Sequence, residues 1–312
     1  MSRRGRSRSR SERPGASGFL VVDKPAGLSS HDIVDEARRW LGTRRVGHLG
    51  TLDPQATGVL PLAIRQATKL IPFIEARHKV YDGTIVLGIE TDTLDAEGQI
   101  VARHTGPLPA QSEVETALAK FKGDIQQVPP MYSAVKKDGV PLHRLARQGI
   151  DVEREPKWIT IDSLELTRFE PPEFDLRVHC SSGTYVRVLA SDLGRALGCG
   201  AHLAALRRTL SGPFRIEQAR TVAECAQAVE ANSLEASLIP PAVALGFPVV
   251  AVSGEQERRL RNGGDLASGE LHREPPGTRV SIVDGKGQIL AVAELGPDRR
   301  LWPLRVLAEE PA

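Results

Sequence analysis

Cysteine, aromatic residues, net charge and long apolar runs are all scarce in this 312-residue chain, and each scarcity closes off a class of function. Three cysteines, Cys180, Cys199 and Cys225, are too few and too scattered for a disulfide framework or a zinc site. Cys199-x-x-His202 is half of a metal motif without a second half. The cysteines are therefore expected as small buried residues in a reducing cytoplasm, and no metal ligand set is expected. No apolar run approaches the length of a membrane span. The formal net charge of +2 is too small to announce a polyanionic partner, so only local clustering of charge can do that. No Gly-x-Ser-x-Gly or Gly-x-x-x-x-Gly-Lys-Ser/Thr sequence supports a hydrolase or a nucleotide kinase. There is no glycine-rich dinucleotide fingerprint and no internal repeat.

What is present is ordinary for a soluble globular protein: 40% hydrophobic and 26% charged residues. The length suits a large domain followed by a small one. Residues 1–17 carry Arg3, Arg4, Arg6, Arg8, Arg10 and Arg13 among serines. They hold no apolar core of a secretory signal and no apolar face of a transit helix, so a basic disordered arm is expected. Such an arm would add sequence-independent attraction to RNA phosphates or serve only as a solvated tail.

Hydrophobic periodicity predicts the elements. Gly18 to Asp23 reads as a buried strand. Ser29 and Asp32 form a capping box ahead of a helix with Ile33, Val34, Ala37, Trp40 and Leu41 on one face, stopped by Gly42. Tyr81, Gly83, Ile85 and Leu87 alternate with Asp82 and Thr84 in a strand. Ser112 and Glu115 open a helix carrying Val114, Ala117, Leu118 and Phe121. Phe174, Leu176, Val178 and Cys180 alternate in a half-buried strand. After Gly183 the period becomes helical, with Val186, Leu189, Ala190, Leu193 and Leu197 on one face and a stop at Gly198. Strands and helices do not alternate regularly, which argues for an α+β fold over a doubly wound sheet. Near the end, residues 278–293 read as a hairpin about Asp284-Gly285, with one more strand around Leu301–Val306.

The most informative stretch is Gly47-His48-Leu49-Gly50-Thr51-Leu52-Asp53-Pro54-Gln55-Ala56-Thr57-Gly58-Val59-Leu60-Pro61. A bare Asp-Pro is usually a surface turn. Here Leu49, Leu52, Val59, Leu60 and Leu62 pin the loop on both sides, which suggests a carboxylate positioned for reaction. The motif has no second carboxylate for glycosidase-type acid/base work. Nucleophilic chemistry by an ionised Asp53 remains. A nearby cation would keep that carboxylate charged despite burial. Arg187 in Gly183-Thr184-Tyr185-Val186-Arg187 lies off the apolar stripe of its helix, so periodicity leaves it either exposed or turned to a site.

These residues resemble the TruB family of bacterial tRNA pseudouridine synthases. The resemblance starts from the Asp53 motif and continues, in order, through further segments. They are Val22-Asp23-Lys24-Pro25-Ala26-Gly27-Leu28-Ser29-Ser30, Lys79-Val80-Tyr81, Thr91-Asp92-Thr93 with Asp95, Pro129-Pro130-Met131-Tyr132-Ser133-Ala134, Gly183 to Arg187, and Leu206-Arg207-Arg208. It covers about residues 18–220. It implies a pseudouridine synthase fold with a mixed, mainly antiparallel central sheet in residues 18–245. It also implies a small β-rich PUA-like RNA-binding domain in residues 246–312. The implied reaction isomerises uridine-55 in the T loop of tRNA, with no redox change and no cofactor. The target base must leave its stack. By the same resemblance Asp53 is the nucleophile and Arg187 its ion-pair partner. Tyr81 stacks on the flipped base and takes part in proton transfer. Tyr185 and Leu206 line the base pocket, and His48 contacts RNA where the base has left. Lys24 either supports the loop or touches RNA, and Asp95 orders its own loop. All three tyrosines, Tyr81, Tyr132 and Tyr185, fall in matched motifs, which favours function over core filling in a chain so poor in aromatics.

Residues 128–157 read as an insertion with Lys136, Lys137, Arg144 and Arg147 and only Asp138 among them. Alone this would be a solvated loop; the resemblance implies a thumb that folds onto tRNA. Two rivals stand beside the stand-alone enzyme. One is a guide-dependent relative acting on other RNAs, which the thumb disfavours. The other is a tRNA-folding helper with a vestigial site, which the intact Asp53, Tyr81 and Arg187 disfavour. A cytoplasmic monomer that binds the tRNA T arm, with no required protein partner and no membrane association, is expected.

Overall fold

The computed structural model describes residues 14–74, 78–133, 135–137 and 139–307. Most of the expected N-terminal arm, residues 1–13, lies outside them, as do Ala134 and Asp138. The last residues assigned to the arm are tied to the body. Ala16 donates its N–H to Glu235 at 3.0 Å, and its carbonyl accepts from Arg65 at 2.9 Å.

β1 (Gly18–Lys24) is buried almost throughout, as its continuous apolar run requires. α1 (Ser30–Leu41) starts at the expected capping box. Ser29 Oγ accepts from the Asp32 N–H, and the Asp32 carboxylate accepts from the Ser29 N–H at 2.8 Å. Gly42 closes it in the left-handed region at φ 60°. β2 (Val46–His48), β3 (Thr57–Ile64) and β4 (His78–Leu87) follow, then a side hairpin of β5 (Ile89–Thr91) and β6 (Ile100–Arg103). α2 (Gln111–Ala119) begins earlier than Ser112. Its cap is Ala110, which has no capping oxygen, so the Glu113 carboxylate accepts the Ala110 N–H instead, at 2.8 Å. Phe121 lies past its end.

β7 (Gly123–Gln127) leads into the predicted insertion. There a short hairpin of β8 (Lys136–Lys137) and β9 (Val140–Pro141) precedes α3 (Leu142–Arg147). β10 (Lys157–Glu170) and β11 (Glu173–Ser181) form the longest hairpin, and α4 (Val186–Ala196) follows the period change after Gly183. β12 (Ala201–Ser211), β13 (Phe214–Arg215), β14 (Arg220–Thr221), α5 (Val222–Glu230) and α6 (Pro241–Leu245) complete the larger part.

The central sheet has ten strands in the order β14-β1-β3-β12-β4-β11-β10-β7, with β2 on β3 and β13 on β12. Among the described residues of this sheet, only β1/β14 and β3/β12 pair in parallel. This is the mixed, mainly antiparallel sheet of an α+β fold, as expected. The main core, with α1, α2, α4 and α5, packs on one face. A second cluster joins Phe19, Val21, Val59 and Ala63 to Leu70, Ala244 and Leu245, and to Val292 and Leu307 of the C-terminal part. That part contains β15 (Val249–Ala251), α7 (Gly254–Arg261), β16 (Leu266–Ala267), β17 (Arg279–Val283), β18 (Ile289–Leu295) and β19 (Arg300–Val306). Its five-stranded sheet runs β15-β17-β18-β19-β16, and the predicted hairpin turns between Asp284 and Gln288. Among the described residues no helix is long and apolar enough to cross a membrane.

Candidate active site

The loop joining β2 to β3 carries Asp53, and its carbonyls from Gly50 to Pro54 all have partners. Arg208, fully buried on β12, donates to the carbonyls of Gly50 at 3.1 Å and Thr51 at 3.3 Å. Ser30 Oγ both donates to the Leu52 carbonyl and accepts the Leu52 N–H, at 3.0 and 2.8 Å. The Ala56 N–H donates to the Asp53 carbonyl at 3.1 Å, closing a turn with Pro54 at its first corner. Lys24 Nζ and the Gly27 N–H both donate to the Pro54 carbonyl. An Asp-Pro turn is therefore present, but it is clamped from three other segments, as the apolar residues on both sides suggested. Gly58 is required next to it: at φ 98°, a Cβ there would sit 2.1 Å from the Arg208 carbonyl oxygen.

Asp53 faces a cavity of about 220 Å³ lined by Leu52, Lys79, Tyr81, Tyr185, Arg187 and Leu206, among others. This is below the about 300–1,000 Å³ of drug-sized sites and suits a single small planar group. Tyr81 comes from the buried face of β4, Leu206 from β12, and Tyr185 and Arg187 from the start of α4. Arg187 is buried, at 5% exposure, not on the solvent side that its helical position allows. Its Nη1 lies 3.2 Å from Asp53 Oδ2 and 3.1 Å from Asp95 Oδ2. Its Nη2 donates to the Tyr132 carbonyl. Folding thus brings a second carboxylate to the arginine, although the Asp53 motif itself contains none. Asp95 also accepts from Thr93 Oγ1 and the Glu97 N–H through its other oxygen, so it orders its loop as expected and anchors Arg187 as well.

Burial pushes the Asp53 carboxyl above the ordinary aspartate range. Arg187 opposes that push, while Asp95 and Glu97 add to it. The side chain is still 45% exposed, opening onto the cleft. Burial also raises the Tyr81 and Tyr185 phenols, so both stay protonated at neutral pH. Burial, then Arg208, brings Lys79 down to about 8. Lys79 belongs to a matched motif yet had no predicted role.

Two predicted residues stand apart from the cavity wall. Lys24 is fully buried, and its ammonium donates to the carbonyls of Pro25, Leu28 and Pro54 at 2.8, 2.6 and 2.8 Å. These bonds tie it to the Asp53 loop through the Pro54 carbonyl. His48 is half-buried at the end of β2, and its Nδ1 accepts the Gly50 N–H at 3.3 Å. Burial holds its pKa low. One contributor had no sequence signal. Gln127, buried at the end of β7, accepts the Tyr185 N–H at 2.7 Å and donates to the Tyr185 carbonyl at 3.1 Å. Nothing in periodicity marks a glutamine whose amide stands in for a β-ladder partner.

Known proteins share this arrangement of segments. The family model "TruB family pseudouridylate synthase (N terminal domain)" matches residues 38–186, and "tRNA pseudouridylate synthase B C-terminal domain" matches 187–245. The chain is 44% identical over 292 residues to tRNA pseudouridine synthase B of Dechloromonas aromatica (strain RCB), covering 93% of this chain and 95% of that one. It is 47% identical over 288 residues to the protein of the same name from Syntrophotalea carbinolica (strain DSM 2380 / NBRC 103641 / GraBd1), covering 90% and 93%. Among solved structures, a chain of a Cbf5-Nop10-Gar1 complex superposes with a TM-score of 0.68 at 25% identity, covering 93% of this chain and 84% of that one. A chain of an H/ACA RNP bound to a substrate RNA containing 2'-deoxyuridine gives 0.69 at 22% identity, covering 94% and 86%, and shares the fold. With identity at this level running along almost its whole length, the chain belongs to the TruB family of pseudouridylate synthases.

Proposed function

We propose that the protein is a stand-alone tRNA pseudouridine synthase that isomerises uridine-55 of the T loop. The observation that carries the reading is the Asp53–Arg187 pair at the wall of a base-sized cavity flanked by Tyr81, Tyr185 and Leu206. The reaction breaks the bond from ribose C1′ to N1 of the base and joins C1′ to C5. The proton on C5 leaves and N1 gains one. No electrons are exchanged with a cofactor, so the chain's own groups suffice. Asp53 is the nucleophile. Arg187 keeps it ionised against burial. A uridine within a folded T arm must be flipped to enter so enclosed a site. Tyr81 offers its ring for stacking and a protonated phenol for proton transfer, with Tyr185 and Leu206 enclosing the base. Lys24 acts on RNA only indirectly, through the Pro54 carbonyl that it holds. His48, on the loop's approach, is the residue positioned to meet the strand the base leaves.

The thumb fits this reading. Residues 128–157 rise from β7, and Tyr132 at their base is bonded to Arg187, so the catalytic arginine also ties down the insertion. We assign residues 18–245 to catalysis and 246–312 to a PUA-like RNA-binding unit, in a monomer that works in the cytoplasm without a protein partner. The test is incubation with an unmodified tRNA transcript followed by pseudouridine mapping. The wild-type chain forms pseudouridine at position 55. Asp53→Asn forms none yet binds tRNA within about tenfold of wild type, roughly 1.4 kcal/mol. Turnover near wild type in that variant would remove Asp53 from the nucleophile's role.

A further inference from the structure

The face of the central sheet turned away from α1, α2, α4, α5 and the cavity is lined at β4, β11 and β10 by paired charges. Arg177 holds Asp82 at 2.7 Å, and Arg168 holds Asp175 at 2.6 Å. One corner of this face breaks the pattern. His78 begins β4 and His179 lies on β11. Because Ser181 pairs with His78 and Val80 with His179, the two imidazoles are diagonal neighbours on the same face, with ring centroids 5.4 Å apart. The third member, Asp162, reaches them through an irregularity. From Ile161 to Ser163 β10 advances two residues while β11 advances one, from Cys180 to His179. Asp162 is therefore the extra residue of a β-bulge, a device that re-aims a side chain out of strict alternation.

Asp162 Oδ2 lies 3.3 Å from His78 Nδ1 and 3.8 Å from His179 Nε2. One ligand atom from each residue falls within 4.8 Å of the others. Among the described residues Asp162 pairs with no Arg or Lys, unlike Asp82 and Asp175 on the same face. We propose that His78, Asp162 and His179 form a binding site for a divalent transition-metal ion of the zinc class, separate from the catalytic cavity.

The donor set determines the ion. Two imidazole nitrogens and one carboxylate oxygen suit Zn²⁺, Co²⁺, Ni²⁺ or Cu²⁺, whereas Mg²⁺ and Ca²⁺ take oxygen donors. Zinc bonds of about 2.0–2.2 Å require the three side chains to draw inward. All three are solvent-accessible, so their rotamers are free to do so. Three protein ligands leave a fourth position to water. The consequence is mechanical, because the ion would cross-link three adjacent strands. β4 carries Lys79 and Tyr81 on its other face immediately after His78, and β11 runs from His179 into the Gly183–Tyr185 turn at the cavity wall. The site thus clamps the strand ends on which the cavity is built. No sequence spacing marks it, because its ligands come from three strands.

The test uses the full chain, freed of any purification tag and stripped of metal with a chelator. Calorimetric titration with Zn²⁺ should show one ion bound per chain at this site and a rise in Tm, and Co²⁺ should give a visible absorption band from nitrogen and oxygen ligation. His78→Ala, His179→Ala and Asp162→Asn should each weaken Zn²⁺ binding at least about tenfold, since even loss of outer-shell partners costs about 10–100-fold. Each should also abolish the Tm rise. Circular dichroism of the metal-free variants confirms folding, and three independent positions guard against a single variant that fails. Zinc binding equal in wild type and all three variants, or absent from wild type, overturns the proposal. So does an equal response to Mg²⁺.

Discussion

Asp53 and Arg187 form a pair that opposes two physical demands. Burial disfavours the charged form of the Asp53 carboxyl, and the Arg187 guanidinium opposes that push. Arg187→Met removes the opposing charge and leaves Asp95 as an added repulsion. Breaking a fully buried pair costs about 3–5 kcal/mol, and less here because Asp53 opens to solvent on one side. The Asp53 pKa should rise further, so the acid limb of a single-turnover pH–rate profile should move to higher pH while the rate falls. Arg187→Lys should rescue poorly, because one ammonium cannot span Asp53, Asp95 and the Tyr132 carbonyl together. An unmoved acid limb with wild-type rates would show that Arg187 does not govern Asp53.

The same pKa makes a stability prediction. The folded-state value lies above the unfolded value of about 3.9. A raised carboxyl contributes stability below the unfolded pKa, and that contribution is lost as pH rises through the folded pKa. At neutral pH ionised Asp53 is therefore a net cost to folding. Asp53→Asn should melt at or above the wild-type Tm at pH 7, with the difference vanishing in acid. A clear drop in Tm at pH 7 would contradict this.

At the scale of elements, the cavity is assembled from segment ends, each held by a polar side chain on a neighbouring element. Arg208 on β12 and Ser30 on α1 hold the Asp53 loop, and Gln127 on β7 holds Tyr185 at the start of α4. Gln127→Ala leaves the Tyr185 N–H without its partner, while the Tyr185 carbonyl keeps the Val188 and Leu189 N–H donors at 3.1 Å. Each unsatisfied buried group costs about 1–3 kcal/mol. The variant should lose stability in denaturant melts and lose kcat more than tRNA affinity, since the pocket wall shifts while the insertion at 128–157 and the sheet remain. Unchanged kcat and unchanged stability would mean that water replaces the amide at no cost.

For the whole molecule, recognition of a polyanion must come from placed charge, since the net charge is only +2. In the insertion at 128–157, Arg144 is exposed, and Lys137 Nζ donates to the Glu153 carbonyl at 2.7 Å, partly holding the insertion's own shape. Replacing Lys136, Lys137, Arg144 and Arg147 together with glutamate should raise the tRNA KM. It should also lower the salt slope of binding by about 0.7–0.9 for each phosphate no longer neutralised. An unchanged slope would make the insertion an ordinary solvated loop. The C-terminal sheet is bound into the molecule by a shared apolar cluster, in which Val292 and Leu307 meet residues of β1 and β3.

By itself the sequence determined what depends on near neighbours along the chain. The α1 capping box, the two-residue alternation of β4 and β11, the period change after Gly183 and the Asp284 hairpin are all local, and all are found where the pattern puts them. The ordered motifs also marked the residues around the cavity, because chemistry constrains residue identity at fixed spacing. Only the tertiary structure decided what depends on distant strands meeting. Helical periodicity placed Arg187 off the apolar stripe, and only the approach of Asp53, Asp95 and the Tyr132 carbonyl turned that position inward. Nothing local in the sequence announced that three backbone carbonyls would converge on the Lys24 ammonium. Gln127 gave no signal because its partner, Tyr185, lies 58 residues away. The physical reason is the same in each case: a buried polar group is satisfied by whatever the fold brings within about 3 Å, and sequence separation has no bearing on that distance.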